Sequence, residues 1–294
     1  MNDDTGFQTA YTVSGTDLVL RRPPCFDLAA TLDCGQAFRF HSLPDGSWQG
    51  VVFGRVLRLS ARTNGDIVLH QVDEREFHRR LKRYFTLDLD YPRLLRRLET
   101  DPALRRAVKA VPGLRLLRQE LWETVCSFII SQNNNIPRIK GIIRRLCEAF
   151  GDPLEAGEYA FPPATRIAAL EEQQLSCIRA GFRATYILDA ARKLAAGQID
   201  QSFLQNASYE QARAALMEIR GVGPKVADCV LLFSCGRFEA FPMDVWMRRV
   251  TAALYPGGLP TCFDGYGGIA QQYLFAYARA GGLDAECKGS GRGA

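Results

Sequence analysis

This chain is poor in histidine and, among its cations, poor in lysine. The three histidines, His41, His70 and His78, stand apart from one another and from any cysteine pair, so no zinc centre is expected. Cysteines fall singly at Cys25, Cys34, Cys126, Cys147, Cys177, Cys229, Cys235, Cys262 and Cys287, with no Cys-x-x-Cys pair among them. That odd, scattered set predicts reduced and mostly buried thiols in an intracellular protein. The C-terminal cysteines are too far apart for the compact ligand loop of an iron–sulfur cluster. The sequence therefore calls for no metal and no cofactor. No apolar run approaches the ~18 residues of a membrane span. The acidic start, Met1-Asn2-Asp3-Asp4, lacks the apolar stretch of a secretory signal. Internal repeats and low-complexity tracts are also missing. With 47% hydrophobic and 23% charged residues, disordered, collagen-like and mucin-like classes are excluded.

Arginine, by contrast, is abundant. Lys+Arg number 37 against 32 Asp+Glu, a net charge of +5, and only six of the cations are lysine. Between Arg75 and Arg118 lie 13 basic and 5 acidic residues, a local +8 (13 − 5) that exceeds the whole-chain value. Two readings fit this stretch: a solvated helical face, or a surface that meets phosphates.

A length of 294 residues suits about two domains. The first 72 residues are β-rich. Phe38–Phe40, Pro44-Asp45-Gly46 and Ser47–Gly54 read as strand, turn and strand. Arg55–Leu59 alternates with period two, Asn64-Gly65 signals a tight turn, and Asp66–Val72 resumes the strand pattern, giving an antiparallel meander. From about Asp73 the pattern is helical and predicts a bilobed helical part. Leu121, Trp122, Val125, Phe128 and Ile129 share one stripe, and Asn133-Asn134-Asn135 stops that helix. Pro137 suits the start of the next helix and Gly151 its end. Further helices are expected near Pro162–Gly181, Tyr186–Ala196, Ser208–Glu218, Pro224–Ser234, Asp244–Leu254 and Gly265–Ala280. The fold class expected is α+β: an antiparallel-sheet domain with flanking helices over 1–118, then an all-α domain over 119–294 with a hairpin near 219–225.

Gly221-Val222-Gly223 sits between two helical segments. The glycines permit a tight turn that leaves amide donors uncovered beside a helix N-terminus, which suits an anion such as a DNA phosphate; a plain turn fits as well. Lys225 follows in the first turn of a helix, where the same field disfavours a cation and favours the neutral amine. A neutral lysine can form a Schiff base, while an exposed one would simply bind phosphate. Asp244, 19 residues on, suits an N-cap. After one helix and one loop its carboxylate also returns toward Lys225, where it could take a proton or stabilise a positive sugar.

Ile219-Arg220-Gly221-Val222-Gly223-Pro224-Lys225-Val226-Ala227-Asp228-Cys229, followed by Pro242-Met243-Asp244-Val245, resembles the helix-hairpin-helix (HhH-GPD) superfamily of DNA glycosylases, in its bifunctional, lysine-bearing branch. Four further stretches resemble 8-oxoguanine DNA glycosylases: Ser131-Gln132-Asn133-Asn134-Asn135-Ile136-Pro137-Arg138-Ile139, Gly35-Gln36-Ala37-Phe38-Arg39, Gly181-Phe182-Arg183-Ala184 and Ala270-Gln271-Gln272-Tyr273-Leu274-Phe275. The five motifs run in family order over roughly residues 17 to 280. The resemblance, to a bacterial member, implies excision of 8-oxoguanine opposite cytosine from double-stranded DNA by a monomer. It implies work in the bacterial cytoplasm at the nucleoid, or in the nucleus for a eukaryotic source, and no membrane partner. Lys225 would attack C1′ and then support β-elimination, with Asp244 stabilising the sugar cation. Gly35 would accept the lesion's N7–H, Cys229 and Phe275 would sandwich the base, and Gln271 would read its Watson–Crick edge. Asn133, Arg138 and Arg183 would contact the orphaned cytosine, with Phe182 as a wedge. Gly221, Val222 and Gly223 would hold a phosphate.

Read without the resemblance, Cys229 and Phe275 also suit core positions, Asn133 a helix stop and Gly35 a bulge. Two residues depart from the family pattern. Trp246 stands where many members have histidine, and Phe182 replaces a commoner tyrosine, so the wedge stacks without a hydroxyl. Two other functions compete: a helix-hairpin-helix glycosylase for another damaged base, and a non-catalytic DNA-binding module, against which the Lys225/Asp244 pair argues.

Overall fold

The computed structural model describes residues 9–282, so Cys287 and the outer ends of both expected domains lie outside the described residues. Period-two sequence in the first part produces six strands: β1 (Tyr11–Ser14), β2 (Asp17–Leu20), β3 (His41–Ser42), β4 (Trp48–Val52), β5 (Arg55–Ala61) and β6 (Ile67–Leu69). They form one antiparallel sheet in the order β1-β2-β6-β5-β4-β3. The expected meander is therefore present from β3 to β6, and the β1-β2 hairpin extends it at β6. The turn at Asn64-Gly65 forms as its sequence requires, with Gly65 at φ 87°. Phe38–Phe40 is not a strand. Phe38 drops into the helical core and Phe40 into the sheet core, so these residues cannot alternate along a ladder, and β3 shrinks to His41–Ser42. Leu18, Leu20, Leu57, Leu59 and Leu69 pack on the Leu28–Leu32 helix and on Phe77, Leu81 and Phe85.

The helices follow the apolar stripes. The Leu121–Ser131 helix ends where Asn133 takes φ 47°, a left-handed conformation that asparagine tolerates. Asn135 then caps the Ile136–Phe150 helix by accepting from the Arg138 amide at 3.0 Å. The helix expected from Tyr186 begins three residues earlier and runs Arg183–Ala195. Pro162–Gly181 holds the short helices Ala164–Ala168 and Glu172–Ile178. Two groups of helices result. Tyr91–Leu98 and Pro102–Ala110 pack with Val245–Leu254, Gly267–Arg279 and the Thr261–Phe263 turn, while Leu121–Ser131 packs with Arg183–Ala195 and Pro224–Val230.

Between them runs an extended stretch, Leu114–Gln119, which belongs to no sheet. Leu114, Arg115, Leu116 and Leu117 are fully buried. Arg115 and Arg118 were expected on a phosphate-meeting or solvated face, and both lie inside. The Arg118 guanidinium pairs with Asp88 at 2.9 Å. Arg115 has no carboxylate partner. It donates to the carbonyls of Pro24 (2.7 Å), Phe85 (3.2 Å) and Thr86 (2.9 Å), and lies 4.0 Å from the Tyr91 ring centroid. Burial pulls its pKa below the usual guanidinium value. The eight described cysteines are all free, and Cys177 alone among them is exposed.

Arg115→Met would keep the stem and leave the Pro24 carbonyl without a donor, while the Phe85 and Thr86 carbonyls keep the Thr86 hydroxyl at 2.7 Å and the Leu89 amide at 3.2 Å. At about 1–3 kcal/mol for one unpaired buried group, the variant should lose about 1–3 kcal/mol of unfolding free energy, read from urea denaturation. A midpoint within experimental scatter of the parent's would remove Arg115 from this role.

Candidate active site

Proline at the first turn and glycine before it begin the Pro224–Val230 helix, which places Lys225 one residue into the helix. The Lys225 ammonium lies 5.3 Å from the Phe128 ring centroid and 3.5 Å from Ser131 Oγ, with no ion pair to a carboxylate among the described residues. Phe128 is itself fixed, stacked on Phe233 at 5.2 Å and meeting Phe38 edge-on at 6.0 Å. Phe233 reaches that position because the helix continues as a π-helical turn, Leu231–Cys235, a device that re-aims side chains and recurs at functional sites. Lys225 thus stands over an aromatic floor.

Asp244 caps the Val245–Leu254 helix, accepting from the Met247 amide at 2.8 Å. It faces the same cleft as Lys225, a space of about 290 Å³, at the low end of ligand-pocket sizes. Gly35, Cys229, Gln271 and Phe275 line that cleft as well, so the sequence-predicted pocket residues come together with Lys225 and Asp244. Gly35 has φ 91°, and a Cβ there would stand 3.2 Å from Ile136 and 3.8 Å from Phe275, so only glycine fits without displacement. Burial pushes the Cys229 thiol up to about 11 against the opposing pull of the Lys225 ammonium, so Cys229 serves as a neutral wall. Gln271 donates to the Pro242 carbonyl at 3.3 Å, and its buried Oε1 has no partner among the described residues. Trp246 also lines the cleft and is 43% exposed.

Asn133, Arg138, Phe182 and Arg183 lie outside the cleft lining and form a second group. Phe182 projects outward, 54% exposed, against the Arg183 guanidinium at 4.4 Å and the Tyr186 ring at 5.7 Å. Arg183 was expected to face an orphaned base. Here it is buried and its donors go to backbone carbonyls: Nε to Gln132 at 3.0 Å, Nη2 to Gln132 and to Asn133 at 3.0 Å, and Nη1 to Ala180 at 3.2 Å. In this conformation it clamps the turn that presents the exposed Asn133. Arg138 is exposed on the first turn of the next helix.

The hairpin joins this group. Gly221 takes φ 77°, and a Cβ there would overlap the Tyr186 ring, the same ring that backs Phe182. Arg220 donates its amide to Asp189 at 2.7 Å, while the amides of Gly221 and Gly223 have no acceptor among the described residues. Sequence reasoning did not single out Phe128, Ser131 or Arg279 as site residues. Ser131 opened a quoted motif, but its approach to Lys225, 94 positions away, had no local signal.

Two family patterns match adjoining parts of the chain: 8-oxoguanine DNA glycosylase, N-terminal domain, over residues 19–125, and HhH-GPD superfamily base excision DNA repair protein over 126–258. A probable N-glycosylase/DNA lyase of Methanothermobacter thermautotrophicus is 31% identical over 245 residues, 72% of this chain and 78% of that protein. The N-glycosylase/DNA lyase of Saccharomyces cerevisiae is 35% identical over 190 residues, 60% of this chain; the aligned part spans 50% of the yeast protein. The solved 8-oxoguanine glycosylase/lyase of Clostridium acetobutylicum, bound to double-stranded DNA with cytosine opposite 8-oxoG, is 33% identical. It superposes with a TM-score of 0.87 over 95% of this chain and 100% of that one.

The capping role of Asp244 is separable from its chemistry. Asp244→Ala should cost about 1 kcal/mol of stability, whereas Asp244→Asn, another good cap, should stay within a few tenths. Urea midpoints of the two variants measure this, and equal losses would show that the cap contributes nothing.

Proposed function

This chain belongs to the HhH-GPD superfamily of base excision DNA repair proteins, with an 8-oxoguanine DNA glycosylase N-terminal domain before it, and from that premise we propose that it excises 8-oxoguanine from double-stranded DNA and cleaves the abasic strand. One observation carries the reading: Lys225 and Asp244, from separate helices, face one cleft that Gly35, Cys229, Gln271 and Phe275 also line. A base inside a duplex hides C1′, so it must first swing out, at a cost of a few kcal/mol. In the cleft, Phe275 and Cys229 would hold its two faces. The unpartnered Gln271 Oε1 is an acceptor awaiting a donor, and the Gly35 carbonyl would accept the N7–H that distinguishes the oxidised base.

Lys225 Nζ then attacks C1′. The glycosidic bond breaks and the base departs with its electron pair. The attached amine passes one proton to the Asp244 carboxylate, which delivers it to the ring oxygen as the C1′–O4′ bond breaks and the nitrogen lone pair forms the protonated Schiff base. Loss of a C2′ proton expels the 3′ phosphate by β-elimination. On the far side, Phe182 would fill the gap, with Asn133, Arg138 and Arg183 at the orphaned base. Arg183 would have to exchange backbone carbonyls for the base. Gly221 and Gly223 would hold a backbone phosphate on their free amides, while the Val222 amide, expected to join them, is already given to the Ile219 carbonyl at 3.0 Å, so Val222 shapes the turn between them. One polypeptide supplies every one of these groups, which suits action as a monomer.

Lys225→Gln should abolish both borohydride trapping and strand cleavage on a lesion duplex while lesion binding persists. Asp244→Asn should slow single-turnover base release about 100-fold. Trapping of the lysine variant at parental yield would remove Lys225 from the mechanism.

The opposite base gives a second test. Cytosine offers two acceptors and one donor on its pairing edge, which two arginines and an asparagine oxygen can satisfy. Adenine would leave one arginine donor unpaired, at about 1–3 kcal/mol. Excision opposite cytosine should therefore outrun excision opposite adenine by roughly 10- to 100-fold in single turnover. Equal rates would refute the assignment of Asn133, Arg138 and Arg183 and weaken the choice of 8-oxoguanine over other lesions.

A further inference from the structure

Arg179 closes the Glu172–Ile178 helix with φ 55° and ψ 39°, a left-handed conformation that disfavours a residue with a Cβ. Two residues on, the same loop turns left-handed again at Gly181, φ 63°, and there it uses glycine. The turn is held from outside, since Arg145 Nε donates to the Ile178 carbonyl at 2.9 Å. The backbone strain therefore persists in a fixed geometry, the circumstance in which it marks function.

That geometry points the chain outward beside the wedge. Arg179 is exposed and, with Arg138, lines a hollow of about 550 Å³ that also borders Gly181 and Ala184, next to Phe182 and Arg183. No ion pair among the described residues involves Arg138 or Arg179. Glu172 lies on the rim and opposes an anion, so a seat here depends on the two arginines acting together. Arg118 and Arg166, by contrast, each pair with a carboxylate, and Arg166 also donates to the Phe150 carbonyl.

We infer that Arg179, beside Arg138, seats a backbone phosphate of the undamaged strand next to the orphaned nucleotide. This rests on the proposed function for the choice of strand, because Phe182 and Arg138 are on the orphan-base side in that reading. The ligand is a phosphodiester, recognised by charge and by the guanidinium fork rather than by sequence.

The test compares the parent with Arg179→Gly, which deletes the cation and suits the backbone. Binding to a lesion duplex is followed by fluorescence anisotropy across about 50–200 mM salt. The log–log slope should become shallower by about 0.9, with roughly three- to tenfold weaker binding, as expected for one lost phosphate contact. Neutral methylphosphonates placed singly along the undamaged strand should weaken the parent at one position beside the orphan nucleotide and leave Arg179→Gly indifferent there. An unchanged slope, or a coupled position found only on the lesion strand, overturns the inference. So does a lowered urea midpoint in Arg179→Gly, because the arginine would then be retained for folding. Borohydride trapping of the parent on the same duplex reads the proposed function separately. Absent trapping with a retained slope difference would sink the glycosylase reading and leave the phosphate seat standing.

Discussion

An extended, buried backbone outside any sheet must find partners for every amide and carbonyl, and the arrangement of this protein hangs on how Leu114–Gln119 does so. The Leu114 carbonyl accepts from Tyr273 Oη at 2.7 Å, and the Leu116 amide donates to Tyr91 Oη at 2.7 Å. Gln36, itself fully buried, takes the Arg115 carbonyl at 2.7 Å and the Leu117 amide at 2.9 Å. The Gln119 amide reaches the Phe233 carbonyl at 2.6 Å, and its side chain donates to the Gln36 carbonyl at 2.8 Å. Domain junctions are usually exposed linkers. Here the chain passes between the sheet and the helices through the interior, and each side supplies what the other lacks.

The partners of that segment are also neighbours of the cleft. Gln36 adjoins Gly35, Tyr273 lies two residues from both Gln271 and Phe275, and Phe233 stacks beneath the ring under Lys225. Groups that line one cleft are therefore referred to a common internal rail rather than to each other. A buried polar network in which every member is satisfied is stiff, and its members lose several kcal/mol if one partner goes. The sheet unit helps set the cleft even though it contributes few lining residues.

Much of this was legible in sequence where the cause is local. Glycines around Val222, proline before Lys225 and a capping aspartate at 244 each fix their own backbone, and the structure has all three as read. Gly35 is legible as a glycine that cannot be replaced, although the reason, Ile136 and Phe275 close by, is a tertiary one. Arg115 was hidden by its own chemistry. Among the 13 basic residues between Arg75 and Arg118 nothing marks those that turn inward, and the partners of Arg115 are carbonyls from elsewhere in the chain. Phe38–Phe40 misled for a related reason: apolar residues two apart suit a strand, but these two serve different cores. Arg183 shows the same limit, because a donor-only side chain in a loop does not reveal whether it will meet a base or a backbone.

Tyr186 is one ring with two loads, the wedge on one edge and the Gly221 backbone on another. In the proposed function, the side chain that probes a base step and the turn that grips the backbone would thus rest on one shared support.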